Sequence, residues 1–301
     1  MDYSEAQAAF FAPREGTTRT IGWRSPARDL RDAIEPIATI SFWAEPAYDA
    51  YAALGLDFLQ GYVHSRSRGL GDVEPAVAAA AFGVFEPGLI AGVLAEARGV
   101  ASVAAVRAAA EEGAIASLRA ALPRVDEAEV ARVAAVLRRG ADAAPTTGRA
   151  LHAGLASLAY PDDPFGVLWH AATLLREHRG DGHLAALVAA GVDGVAANLL
   201  TELWVGWDPF TYSASRAWAP ETLEAAATDL TGRGWLADGR LTDAGLAVRE
   251  DLEAATDRSV ALAVAALADD LGTILEPLHA WGEAVTARGW FPPDPYKRAA
   301  G

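Results

Sequence analysis

The chain has 301 residues, of which 52% are hydrophobic, with no cysteine and a formal net charge of −15. That is enough for one large domain or two ordinary ones, and it excludes disulfides, thiolate metal sites and cysteine nucleophiles. The acidic balance repels phosphate backbones and anionic membranes. No apolar run approaches the roughly 18 residues of a membrane helix, and the start Met1-Asp2-Tyr3-Ser4-Glu5 lacks the basic and apolar regions of a signal peptide. A cytoplasmic protein with no membrane partner is therefore expected.

Residues 1–27 read as an extension, because Pro13, Gly16 and Pro26 interrupt any periodicity; Trp23 is expected to pin this segment to the body. From 28 to 42, Leu30, Ile34, Ile37 and Ile40 fall at helical spacing, with a kink or break expected at Pro36. A second helix is expected over 46–58, followed by a Gly-, Ser- and Arg-rich loop or short helix over 61–71. Pro75 and Pro87 each start a helix. Amphipathic stripes predict long helices over 102–122 and 126–139. Asp163 before Pro164 reads as an N-cap with proline at the first helical position. The helix it opens is expected to stop at Arg179-Gly180-Asp181-Gly182, with a fresh helix from His183.

Beyond residue 193 the order is helix, loop, helix, hairpin, helix, with Asp238-Gly239 as the turn of the one β-hairpin candidate in the chain. The joint Leu241-Thr242-Asp243-Ala244-Gly245 resembles the wing-to-helix joint of MarR-type winged-helix proteins. The predicted fold is thus all-α: an extension over 1–27, a helical domain over 28–160, and a winged-helix-like domain over 161–301 with one short hairpin, a C-terminal helix and a Pro-rich tail. In such folds the helix before the wing enters the major groove. Here that helix carries Glu221, Glu224 and Asp229 and no Lys or Arg, and residues 219–253 hold eight acids against three arginines. Phosphate contacts supply nearly all non-specific DNA affinity, so DNA is not expected as a partner; the module is expected to pack or to form a homodimer.

The segment from Leu168 to His183 resembles the signature of a little-characterised bacterial family of helix-turn-helix proteins. The resemblance extends from about residue 28 to 285 and includes Ser41-Phe42-Trp43-Ala44-Glu45, Gly61-Tyr62 with Arg66, and Ala81-Phe82-Gly83. Val63, followed by His64, stands where the family would place an aromatic after Gly61-Tyr62, and His170 stands where Gln is commoner. The resemblance brings no activity or cofactor with it.

Arg176, Glu177, His178, Arg179, Asp181 and His183 place six ionisable groups within eight positions. Three uses are open. They can form a buried Arg–Asp–His network; they can work as general acid and base, with His178, His183 and Asp181 as the candidates; or His178, Asp181 and His183, joined by His64 or His170, can hold a metal, although their spacing matches no standard ligand motif and none is assigned. A helix starting at His183 would offer free N–H groups to an anion. The expected site is a small-molecule pocket between the two helical halves, with Arg176, Arg179, His170, Tyr62, His64, Arg66, Glu35 and Trp43 as binding residues and Glu45 as a further acidic partner. The reading is a small-molecule-binding protein or enzyme of specialised metabolism; a ligand-sensing winged-helix regulator and a non-catalytic scaffold are the alternatives.

Overall fold

The computed structural model describes residues 2–10 and 22–292. The first half is a stack of helices: α1 (Tyr3–Phe10), α2 (Pro26–Ala38), α3 (Ile40–Trp43), α4 (Glu45–Ala52), α5 (Phe58–Ser67), α6 (Pro75–Phe82), α7 (Pro87–Val100), α8 (Val103–Ala121), α9 (Glu127–Asp142) and α10 (Ala150–Ala156). The 26-residue α11 (Pro164–Ala189) follows. Then come α12 (Gly194–Trp204), α13 (Pro220–Gly232), the hairpin β1 (Leu236–Ala237) and β2 (Arg240–Leu241), α14 (Asp243–Ser259), α15 (Ala261–Leu267) and α16 (Leu271–Thr286). Among the described residues, this all-α fold has one sheet, the antiparallel hairpin that pairs Leu236 with Leu241. Asp238 and Gly239 both take positive φ at its turn, as the right-handed strand twist requires of a two-residue connection.

Local chemistry sets the boundaries. The side chains of Ser25, Asp57, Ser102, Asp126, Asp163, Asp193 and Thr242 each accept a first-turn N–H. Pro36 lies inside α2, and the helix continues two residues beyond it before breaking at Thr39. The helix expected over 46–58 is α4 and ends at Ala52, and a separate helix begins at Phe58. Asp57 and Gln60 form a reciprocal capping box that opens α5, so most of the expected loop is helical. The N-terminal stretch is not wholly irregular either: α1 docks through Ala6 and through Tyr3, whose hydroxyl donates to the Trp43 carbonyl.

The largest departure concerns α11. No turn interrupts it at Gly180 or Gly182, and no fresh helix starts at His183. Each glycine costs a helix about 1 kcal/mol relative to alanine, but α11 is packed along its length by α2, α8, α9, α10 and α14, and packing outweighs propensity. Gly182 is there for clearance: a Cβ would run into Ser259 Oγ and the Arg149 guanidinium.

The cores do not follow chain order. One joins α2, α4, α8, α9 and the first half of α11 to α15 and α16, so the last two helices return to the first half. A second lies under α12, α13 and α14. A third, small and aromatic, sits between α5, α6 and α7. Among the described residues no single helix is long and apolar enough to cross a membrane.

Candidate functional site

α11 crosses the junction of these cores and buries two different faces there. Arg176, Arg179, Gly180, His183 and Leu184 recur at helical spacing and line one cavity. His178, Asp181 and Gly182 face α10 and the end of α14.

On the cavity face the charges form one alternating ladder. It starts at Asp257 and passes through Arg179 to Glu253, which also pairs with Arg249 at 2.8 Å and Arg28 at 3.7 Å. Arg28 leads to Asp32, Asp32 to Arg31, and Arg31 to Glu35 at 3.8 Å. Glu35 pairs with Arg176 at 3.5 Å, Arg176 with Glu177, and Glu177 with Arg66 at 3.4 Å. Buried charges persist when each has a partner, and this ladder gives them. Burial alone would raise the Glu177 carboxyl, but Arg176 and Arg66 outweigh it and hold it at about 2. Glu253 is likewise held well below the carboxylate range by Arg249 and Arg179, against the effect of burial.

Two cavities open beside the ladder. One of about 130 Å³ is lined by Arg28, Arg31, Arg66, Arg176, Arg179, Arg249, Glu35, Glu253 and His183. The other, of about 370 Å³, is walled by Phe42, Trp43, Phe58, Leu59, Tyr62, Phe85, Leu89 and Phe291. Glu35, Tyr62, Phe85, Arg176 and Arg216 belong to both, so one is cationic, the other aromatic, and they share a wall. The segment between α12 and α13 closes both. Its shape is set by Glu202, a buried carboxylate that accepts from the backbone N–H of Phe210, Tyr212 and Ser213 and from the Ser213 hydroxyl. That segment carries Tyr212 and Arg216. The Arg216 guanidinium stacks on Phe85 and on Tyr212 at 4.5 and 4.2 Å, and donates to the Tyr212 hydroxyl.

The six-group cluster does not converge. His183 lies on the cavity face, where its Nδ1 sits 2.9 Å from the Thr256 hydroxyl; burial, with Arg249 beside it, pushes it down to about 3. His178 packs edge-on against His152, with ring centroids 4.8 Å apart, and is pushed down to about 3 by burial and by Arg149. Asp181 accepts the His152 backbone N–H at 2.9 Å, and burial raises it to about 6. It lies within α11, so it is no N-cap for a helix starting at His183; the N–H it accepts belongs to the first turn of α10. The anion site expected at a helix start near His183 is therefore absent, since these N–H groups belong to a continuous helix. Among the described residues no three His, Asp or Glu side chains gather to hold a metal ion.

Of the other expected residues, Arg176, Arg179, Arg66, Tyr62 and Glu35 line the cationic cavity and Trp43 the aromatic one. His64 bonds the Ala101 carbonyl at 3.0 Å, and His170 faces Tyr160 beside a separate cavity with Arg68 and Trp169. Neither reaches the junction. Glu45 is exposed and pairs with none of the cluster. Arg28, Arg31, Arg249, Glu253 and Arg216 are the residues sequence reasoning passed over. Three of the pairs they make, Arg28–Asp32, Arg31–Glu35 and Arg249–Glu253, have i,i+4 spacing, which on a helix ordinarily signals a solvated face.

The expected order of two helices, a hairpin and a further helix is present in α12, α13, β1, β2 and α14. No curated protein and no solved structure matches the chain. The model of the Helix-turn-helix family matches residues 27–292. Proteins of that kind usually bind DNA, which overturns the expectation that DNA is not a partner. The charge count over 219–253 was a poor guide, because net charge governs the strength of phosphate contacts rather than whether a helix can enter a groove. The match spans most of the sequence, and the protein belongs to the helix-turn-helix family.

Proposed function

We propose that the protein is a ligand-sensing transcriptional regulator, with a small molecule held at the junction controlling the DNA-binding helix α13. One observation carries this reading: the segment that walls both cavities runs directly into α13. Tyr212 and Arg216 line the cationic cavity; Ala214, Ser215, Arg216 and Ala217 line the aromatic one; α13 begins at Pro220. A molecule seated there touches the chain within a few residues of the recognition helix, and its differential contact with two positions of that segment is what shifts a two-state equilibrium.

The DNA-facing surface is sparse in cations. The exposed side of α13 offers Thr228 and Thr231 beside Glu221, Glu224 and Asp229, and the nearest exposed arginines are Arg233 and Arg240, the latter in the wing. Few phosphate contacts per module favour a homodimer on a two-fold site. The test is selection from a random duplex pool at low salt, then gel shift. A bound sequence should emerge, and the double change Arg233→Glu, Arg240→Glu should lower the slope of log affinity against log salt by about 2. Absence of a bound sequence at micromolar protein would overturn the regulator and leave a small-molecule-binding protein.

A further inference from the structure

We infer that the junction takes an amphipathic carboxylate: a flat apolar body in the aromatic cavity, with its carboxylate on Arg216 at the wall the two cavities share. This rests on the proposed small-molecule role of the junction and specifies the ligand's chemistry.

Six arginines of the ladder alternate with five carboxylates, Asp32, Glu35, Glu177, Glu253 and Asp257. Arg216 stands outside this ladder. It faces the same cavity, yet among the described residues no carboxylate pairs with it, and its Nε is buried without a hydrogen-bond partner. Its contacts are two aromatic faces and one phenol oxygen, which orient the guanidinium but leave its charge uncompensated. A guanidinium meets a carboxylate best through two parallel N–H donors. With Arg216 counted, seven arginines stand against five carboxylates, and Arg216 is the one of them without a carboxylate partner, so the ligand's carboxylate is placed there. Glu35 is the acid that lines both cavities. Arg31 and Arg176 occupy it, and they also hold the local field positive.

The body follows from the adjoining cavity. At about 370 Å³ it falls in the range of roughly 300–1,000 Å³ usual for small-molecule sites. Phe42, Trp43, Tyr62 and Phe85 present ring faces and edges that suit a planar partner. Glu202, which shapes the segment bearing Arg216, is a positioning residue for this contact.

The test compares 2-naphthoate with its neutral isostere 2-naphthamide, read by quenching of tryptophan fluorescence and by calorimetry on the full chain. Naphthoate should bind at least tenfold more tightly. Arg216→Gln should reduce naphthoate to the level of the amide without changing the amide, and Arg216→Lys should restore part of the difference. The wild-type ratio of the two probes decides the matter even if the variants fold poorly. Equal binding of both overturns the carboxylate assignment and leaves the regulator untouched. Binding of neither up to about 1 mM overturns the ligand site itself. Preference for naphthoate in a protein that selects no DNA sustains the inference and removes the regulator.

Discussion

The two buried faces of α11 carry similar residue types and hold their charges in opposite ways. On the cavity face, Arg176, Glu177, Arg66 and Glu35 each have a counter-charge within reach. On the α10 face, His152 and His178 meet ring to ring without a carboxylate between them, and only the backbone of Pro145 favours the charged form of His178. Burial then keeps these imidazoles neutral and pushes Asp181 up towards its neutral form. Partners and the kind of residue together decide which side chain stays charged, since the His183 imidazole on the cavity face is pushed down as well. The same difference divides the labour of the helix: one face supports a binding cavity, and the other locks α10 and α14 in place.

The comparison breaks most visibly if the ladder is cut. Glu177→Ala should leave Arg66 and Arg176 buried without their shared carboxylate, and destabilise the fold by roughly 3–5 kcal/mol in urea titration at neutral pH. A loss under about 1 kcal/mol would mean that water reaches the ladder and that its pairing is a surface matter.

A smaller effect sharpens the contrast through the two glycines of α11. Gly182 sits on the packed face, where a methyl would collide with Ser259 and Arg149; Gly180 sits on the cavity face, where an added Cβ would meet only Glu177 Oε2 at 3.6 Å. Gly182→Ala should therefore cost about 1–3 kcal/mol by overpacking. Gly180→Ala should be neutral or stabilise by up to about 1 kcal/mol through helix propensity. Thermal midpoints of the two variants that moved in the same direction would break the assignment of faces.

The fold was legible wherever boundary chemistry is local. Asp163-Pro164, Asp238-Gly239 and the apolar stripes of α8 and α9 each act within a few residues, and the helices and hairpin stand where they point. The stop expected at Gly180 and Gly182 failed for the opposite reason. Two glycines within three positions resemble a helix end, but the contact that needs Gly182 comes from Ser259, which no local pattern reveals. Asp57 and Gln60 did carry a local signal for α5, since a capping box can be read from spacing alone. At the site, the sequence marked α11 as unusual by its density of charge. It could not show that the cluster splits between two faces of an unbroken helix, nor that the counter-charges come from α2, α5 and α14. Arg216 had no signal of its own; its meaning depends on the absence of a carboxylate in three dimensions.

The subtlest consequence lies in the pH dependence of stability, where the α10 face contains opposed titrations. His178 is lowered from 6.5 to about 3, so its contribution is present above pH 6.5 and is lost as pH falls towards 3. Asp181 is raised from 3.8 to about 6. The folded state then holds the extra proton between those values, and this contribution is fully present below 3.8 and is lost as pH rises through 6. Between pH 4 and pH 6 the two slopes oppose each other. Asp181 feels burial first, then the His152 N–H, Glu177, Arg66 and Arg149, so the balance reports on both faces. Asp181→Asn keeps an oxygen for the His152 N–H and should change stability at pH 7 by less than about 1 kcal/mol. It removes the Asp181 slope and leaves that of His178, so the urea midpoint of the variant should fall more steeply than that of the wild type as pH drops from 6 to 4. Parallel curves would mean that Asp181 titrates at its ordinary value, that its face is wet, and that the two sides of α11 differ less than their geometry implies.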